Sequence, residues 1–554
     1  MDNETYATLE QQAQQRAKKL AGANIIHWLQ RWELAVREHA DANCLIEAET
    51  RQCWSYGELD HLADTHAELC KPDTSAYIAI RADNSAAFVV AYLAVLKAGC
   101  VPVLLNAREK PDKLAALMND LGIERLLNEA GPAAISASLR QPPLPRKPSP
   151  GFAEDGLAPA AIIFTSGTTG PSKAAQFSHR RLIGAGVAWG VRTGMSASSR
   201  CYITTPMWHG NGLAVAFAAC VECGACAVVR RRFSTSRFWD DIARYDCSSM
   251  VYVGELWRYL LHAAGAAERP RHRLRTIFGN GLDQTTWQAV KARFGIRYVL
   301  EHYGATEMPG NAMFNGDGKP GACGYVPPGH LDESRYCLLT GDGHAVGRGQ
   351  CGELLIRVEH GRYLGYTDER LSQQRIVRNV LQPGDCWWRS GDRLRWEEDG
   401  YFHFEGRLCE NFRWKGENIS AQEVEQALLA SGVFAHACVY SVDIQGQAGS
   451  APMAAVWPVR HDWHQRAASV LRQRLADYAI PPYLRVVDEA PCTTSTMKIR
   501  RETYRAMGYA TAPQQVWRLL ADAYVPMHEA MERQSAAPPL SGTPKPARRE
   551  PQGA

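Results

Sequence analysis

One stretch of the chain constrains its fold more than any other. Tyr77–Ile80 is a short apolar run of strand length, Asn84–Lys97 is an apolar segment of helix length, and Val101–Leu105 is a second strand-like run. A strand–helix–strand rhythm of this kind argues for an α/β domain. Upstream, Ser55–Glu58 has the form of a capping box, in which the serine side chain accepts from the first helical turn and the glutamate side chain answers back. Downstream, the proline-rich stretch Arg140–Gly151 reads as an exposed loop and Ala160–Phe164 as a buried strand.

With 554 residues the chain is too long for one ordinary domain, so two or three compact units are expected. Hydrophobic residues make up 45% and charged residues 22%, the balance of a soluble globular protein. A formal net charge of +4 gives no reason to expect nucleic acid as a partner. Arg230–Arg232, the densest basic run, reads as a solvated loop. The 16 cysteines are scattered, and Met1–Ala40 has no apolar segment of the sort an exported protein needs. Reduced thiols and a cytoplasmic location are therefore expected. A membrane-spanning helix takes ~20 apolar residues, and the best candidate, Phe88–Leu96, is stopped by Lys97, Gly99 and Pro102. No spanning segment is expected; peripheral membrane contact stays open, and oligomeric state is not legible.

Further along, aromatic and charged residues nearly alternate over Gly384–Gly406, as in antiparallel strands near a domain edge. Ala421–Leu429 reads as a helix within a small α+β unit from about Leu408 to Gly508. The tail Ser535–Ala554 is rich in Pro and Ala, low in apolar content, and expected to be disordered. Cys220, Cys223 and Cys226 have the spacing C-x-x-C-x-x-C, which invites a metal reading. They lie in an Ala/Val-rich stretch with no obvious fourth ligand nearby, so small core residues are expected instead. His461 and His464 read as an exposed turn.

The chemistry begins at the loop after the buried strand: Thr165, Ser166, Gly167, Thr168, Thr169, Gly170, Pro171, Ser172 and Lys173. Glycines let backbone N–H groups approach a polyphosphate closely, hydroxyls add donors, and the lysine adds positive charge. The Walker A spacing is absent.

This loop resembles the phosphate-binding signature of the adenylate-forming superfamily, which includes acyl-CoA synthetases, carrier-loading adenylation domains and luciferases. Other segments agree in order. Tyr303-Gly304-Ala305-Thr306-Glu307 resembles the adenine- and magnesium-binding motif, Ser390-Gly391-Asp392 the ribose-binding motif, and Gly406-Arg407 the start of the interdomain hinge. Thr494–Lys498 resembles the segment that carries the catalytic lysine. Phe412–Asn418, Phe233–Asp241, Val253–Leu261 and Ile277–Trp287 look like the fatty acid transport protein branch, the very-long-chain acyl-CoA synthetases.

The resemblance implies an α/β fold. A large N-terminal domain of layered sheets and helices (1–406) would be joined to a small mobile α+β C-terminal domain (409–510), with a disordered tail (530–554). It implies ATP, Mg²⁺ and, as co-substrate, CoA, with a small-molecule acid as partner. Lys498 would bridge the acid oxygen and the α-phosphate, Glu307 would hold Mg²⁺, and Thr306 would donate to the α-phosphate. Tyr303 would stack on adenine, and Asp392 would accept from the ribose hydroxyls beside Arg407. Gly279, Asn280 and Gly281 would lay a backbone edge against adenine and the acyl entrance. His209 falls where the superfamily has an aromatic–His pair near the acid.

Two departures stand out. The hinge position is Cys409 followed by Glu410, where the transport-protein branch typically has Gly-Asp. Trp208, Asn211 and Met308 would bring bulk and polarity to the acid, where a long acyl tunnel prefers open apolar walls. An acid:CoA ligase is the leading expectation. The alternative is an adenylating enzyme whose acceptor is a carrier-protein thiol or an amine, or one that activates nitrite to build an N–N bond. A third reading, a non-catalytic acyl carrier, predicts ligand binding without AMP.

Overall fold

The strand–helix–strand unit forms as its pattern dictates. In the computed structural model, Tyr77–Arg81 and Val101–Leu105 run parallel, with Tyr77 opposite Val101 and Arg81 opposite Leu105. The connecting helix is Ala86–Lys97, and from Ala86 to Leu96 only Ala91 is not fully buried. It starts two residues later than expected because Asn84 is occupied elsewhere. Asn84 Oδ1 accepts from Met207 N at 2.7 Å and its Nδ2 donates to Thr205 O at 2.9 Å, so Ser85 takes the N-cap. The capping box forms as well: Glu58 N donates to Ser55 Oγ at 3.1 Å, and Ser55 N to the Glu58 carboxylate at 2.7 Å.

The structure describes residues 3–70, 76–128, 156–165, 172–263, 271–310, 313–359, 363–410, 412–415, 417–444, 450–493 and 499–535. The chain divides into two units, Met1–Cys409 with Thr493–Ile499, and Glu410–Cys492 with Arg500–Ala554.

In the first unit a five-stranded sheet has the order Leu126–Asn128, Tyr77–Arg81, Val101–Leu105, Pro159–Thr165, Lys173–Ser178. An eight-stranded sheet runs Met313–Gly316, Tyr298–Tyr303, Thr276–Asn280, Ser249–Val253, Arg200–Ile203, Cys226–Val229, Asn43–Glu47, Cys53–Ser55. One apolar cluster extends from Ile78, Ile80, Leu104 and Ile163 of the first sheet to Cys201, Val251, Phe278 and Leu300 of the second. Helical residues such as Trp32, Leu93, Trp189 and Phe217 belong to the same cluster, which gives a sheet–helix–sheet layering. The third sheet is the antiparallel one expected from the alternating aromatics. Cys386–Trp396 pairs with Tyr401–Arg407 and with Gln350–Arg357, and this register sets Asp392 opposite Arg407.

The second unit is built on the strand order Phe434–Asp443, Ser450–Pro458, Tyr483–Val486, Val516–Leu520, Ala523–Pro526, with helices that include Ala421–Ala430 and Trp463–Arg474. Arg501 ties it internally through Glu425 at 2.9 Å and Glu410 at 2.5 Å. The unit continues past residue 510. Its last two strands follow that point, and the helix Met527–Ser535 occupies the first residues of the expected tail. Residues 536–554 lie outside the described residues, as does the whole of the Arg140–Gly151 loop within 129–155. His464 is not in a turn: it lies on the helix Trp463–Arg474, with its ring 5.8 Å from that of Trp517. Cys220 and Cys226 are buried in the core, and among the described residues no group of three His, Cys, Asp or Glu side chains could hold a metal ion. No described helix is long and apolar enough to cross a membrane.

Candidate active site

The first unit contains a cavity of about 740 Å³ that gathers most of the residues singled out in the sequence. Thr165, Lys173, Trp208, His209, Asn211, Asn280, Gly304, Ala305, Thr306, Glu307, Met308, Asp392 and Arg407 all line it.

Thr165 and Lys173 face each other as the closing pair of the hairpin Pro159–Thr165 / Lys173–Ser178, and both line the cavity. Ser166, Gly167, Thr168, Thr169 and Gly170 of that loop lie outside the described residues, as does Lys498. The side chain of Cys409 is likewise outside them.

Glu307 Oε1 accepts from the Tyr366 hydroxyl at 2.9 Å, and the Tyr366 ring lies 5.6 Å from Lys173 Nζ. Tyr366 thus links the hairpin Pro159–Thr165 / Lys173–Ser178 to the acidic residue. Its own segment is sewn along the hairpin: Gln176 Nε2 donates to Leu364 O at 3.1 Å and Tyr366 O at 3.0 Å, while Gln176 N donates to Gly365 O at 2.8 Å. A hard carboxylate oxygen facing a cavity beside a lysine fits Mg²⁺, which takes one or two carboxylates and leaves its other positions to phosphate and water.

The backbone of Ala305 and Thr306 is held by Arg181, whose guanidinium donates to Ala305 O at 2.7 Å and to Thr306 O. Arg181 stacks 4.3 Å over Phe177. Loss of surrounding water pulls its pKa down to about 10, although Glu307 works in the opposite direction.

Asp392 accepts from the Tyr303 hydroxyl at 2.7 Å and has Arg407 Nε at 3.8 Å. Tyr303 is only 7% exposed and is not among the cavity-lining residues. Its hydroxyl holds the Asp392 carboxylate in place. Gly279 and Gly281 do not line the cavity either, though both shape it. A side chain at Gly279 would collide with Tyr252 O, and Gly281 has φ of 94°. Glu301 fixes the following turn by accepting from Gly281 N at 3.0 Å, Leu282 N at 2.9 Å and the Tyr252 hydroxyl at 2.7 Å. Burial pushes its carboxyl up to about 8.

His209, Trp208 and Asn211 come from the loop that enters a π-helix, Asn211–Phe217, a geometry frequent at functional sites. Asn211 N donates to His209 Nδ1 at 3.4 Å, and Asn211 Nδ2 donates to Asn280 Oδ1 at 2.9 Å across the cavity. Met308 is buried, and its sulfur accepts from Ala305 N at 3.2 Å.

The basic run is not simply a solvated loop. Arg230 pairs with Asp241 at 3.1 Å, while Arg231 and Arg232 line the cavity together with Arg108. Arg181, Tyr366, Glu301 and His302 were missed by sequence reasoning. Arg181 and Tyr366 reach partners 59 or more positions away, and nothing local marks them; Glu301 and His302 directly precede the Tyr303 motif, where adjacency was the available signal.

The profile of the AMP-binding enzyme family matches residues 32–367, and that of the AMP-binding enzyme C-terminal domain matches residues 423–496. The chain belongs to the AMP-binding enzyme family. Within that family it is 31% identical to human long-chain fatty acid transport protein 1 over 534 residues, covering 86% of this chain and 82% of the relative. It is 33% identical to a medium/long-chain-fatty-acid–CoA ligase of Mycobacterium tuberculosis, covering 81% of each. Among solved structures of AMP-binding enzymes, ATP-bound MatB from Rhodopseudomonas palustris is similar in fold, with a TM-score of 0.72, 21% identity and coverage of 84% of this chain and 96% of that one. The O-succinylbenzoate coenzyme A synthetase of Bacillus subtilis, in complex with AMP, gives a TM-score of 0.69 at 20% identity, covering 85% and 97%.

Proposed function

We propose that the chain is an acid:CoA ligase working through an acyl-adenylate. The observation that carries this is the convergence on one cavity of the phosphate-loop ends Thr165 and Lys173, the Thr306–Glu307 pair and the Asp392–Arg407 pair. Relatives named as long-chain fatty acid transport proteins and as a fatty-acid–CoA ligase support the same chemistry.

In the first step the acid carboxylate attacks the α-phosphorus of ATP, and the bond to the β-phosphate oxygen breaks, releasing pyrophosphate. Two anions meet, so the chain's contribution is positioning and charge neutralisation. Lys173 and the loop from Ser166 to Gly170 grip the β- and γ-phosphates. Thr306 donates to the α-phosphate, Asp392 takes the ribose hydroxyls, and Arg407 adds charge beside them. Glu307 would hold Mg²⁺, which supplies further neutralisation when bound. Lys498 bridges the acid oxygen and the α-phosphate. His209 and Trp208 border the carboxylate. In the second step the thiolate of CoA attacks the acyl carbon and AMP leaves, with rotation of the second unit about Cys409 exchanging the two half-reactions. We assign the reaction to the cytoplasm, in keeping with the free thiols of the described cysteines.

The test is AMP formation across a panel of acids with and without CoA, run on the wild type and on Lys498→Ala. CoA-dependent AMP with a thioester product is expected, and Lys498→Ala should lose at least 100-fold in pyrophosphate exchange with its melting temperature unchanged. AMP formed at the full rate without CoA would overturn the ligase assignment in favour of another acceptor.

A further inference from the structure

The strand Tyr298–Tyr303 ends with two residues that face opposite ways, as successive strand residues must. Tyr303 turns toward Asp392, while His302 turns toward the helix His179–Thr193 and lines the opposite part of the same cavity. There the imidazole meets an aromatic wall. The Trp189 ring lies 5.1 Å from His302, 4.8 Å from Phe314 and 5.2 Å from Phe278. Trp189 is 2% exposed and belongs to the continuous core between the two sheets, so it walls the cavity on this side. Behind Trp189 the helix is pressed against its neighbour: a Cβ at Gly186 would stand 2.7 Å from Ala218 O.

Size points the same way. A cavity of about 740 Å³ falls within the roughly 300–1,000 Å³ that houses one drug-sized ligand, yet this one must hold both a nucleotide and the acid.

The polarity of the closed end is also specific. His302 Nδ1 lies 2.7 Å from Gly279 O, and since a carbonyl only accepts, Nδ1 must carry the proton. Nε2 is then an acceptor, and it has no partner among the described residues of the protein although the ring lines the cavity. Asn211 and Asn280, already hydrogen-bonded to each other, add polar edges nearer the reacting carboxylate.

We propose that the acid pocket is built for a compact, ring-sized carboxylic acid bearing an N–H or O–H group at its far end, read by His302 Nε2, and that it excludes long acyl chains. This rests on the adenylation reading and departs from the long chains in the relatives' names. His302 acts as a specificity residue. A site that aims a buried acceptor at a substrate donor discriminates strongly against the analogue lacking it, because the acceptor is then left unpaired.

The probes are benzoate, 3- and 4-hydroxybenzoate, 3- and 4-aminobenzoate, hexanoate and palmitate, each followed by pyrophosphate exchange and, separately, by calorimetric binding. At least one hydroxy- or aminobenzoate should exceed benzoate by about tenfold or more in kcat/KM, with no exchange for palmitate. His302→Phe should collapse that ratio toward one, and His302→Gln, which keeps an acceptor, should restore part of it. Efficient exchange with palmitate, or a ratio that His302→Phe leaves intact, would overturn the proposal while leaving adenylation standing. Selective binding of the substituted ring acids without exchange would instead sink the adenylation reading and keep the pocket assignment.

Discussion

Arg181 offers the sharpest separation of stability from function. Its guanidinium makes two charge-assisted hydrogen bonds to the Ala305 and Thr306 carbonyls, each worth about 1.5–3 kcal/mol. Against this stands the removal of water from the charge. A pKa lowered from 12.5 to about 10 corresponds to at most about 3 kcal/mol of penalty, less after allowing for its partial contact with cavity solvent. The penalty offsets about half or more of the two bonds, so Arg181→Met should cost no more than about 3 kcal/mol of stability. Activity should behave differently, because the lost bonds pin the backbone that carries Thr306 and Glu307. If about 3 kcal/mol of that anchoring is expressed in the transition state, kcat/KM falls about 100-fold. Arg181→Lys, which keeps the charge but not the fork, should fall about tenfold. The assay is pyrophosphate exchange under varied ATP, paired with calorimetric melting. An Arg181→Met variant within threefold of wild-type kcat/KM would refute the anchoring role, and one that melts more than 10 °C lower would refute the offset.

Two further outcomes follow from the same structure. His302 and His179 are both buried and kept neutral, with pKa values lowered by burial to about 4 and about 3. The unfolded chain binds these protons first, so stability is complete above about pH 6.5 and declines as pH falls toward those values, by about 2 kcal/mol per histidine at pH 5. Denaturant titrations at pH 7 and pH 5 should show that decline, and His302→Phe should remove about half of the part due to the pair; an unchanged slope would contradict it. Gly186→Ala should lose about 1–3 kcal/mol, since its Cβ would meet Ala218 O at 2.7 Å, where backbone must move; a neutral melting temperature would show that the helices can separate and that the closed end of the cavity is soft.

What the sequence disclosed divides along a physical line. Elements set by local pattern were legible: the strand–helix–strand unit, the Ser55–Glu58 capping box, and the paired strands Cys386–Trp396 and Tyr401–Arg407. Residues adjacent in sequence that reach the same cavity, such as Thr306 and Glu307, were legible as motifs. Tyr303 was legible by identity and its bond to Asp392 was not, because strand alternation and the pairing of neighbouring strands decide where its hydroxyl points. Arg231 and Arg232 were taken for solvent-facing charges because charge alone does not say which cavity a loop borders. The strands after Gly508 escaped notice because they are short, and Val516–Leu520 finds its partner in Tyr483–Val486 only through tertiary pairing.

The adjacency of His302 and Tyr303 carries a consequence for how such a protein can change over generations. One position addresses the acid and the next supports the residue opposite Arg407, and the sheet itself insulates the two. A point substitution at 302 is free to retune which acid is accepted while the nucleotide side is inherited intact. An insertion or deletion of one residue in Tyr298–Tyr303 would exchange the faces and disable both at once. Divergence in this lineage should therefore proceed by replacement along that strand and leave its length alone.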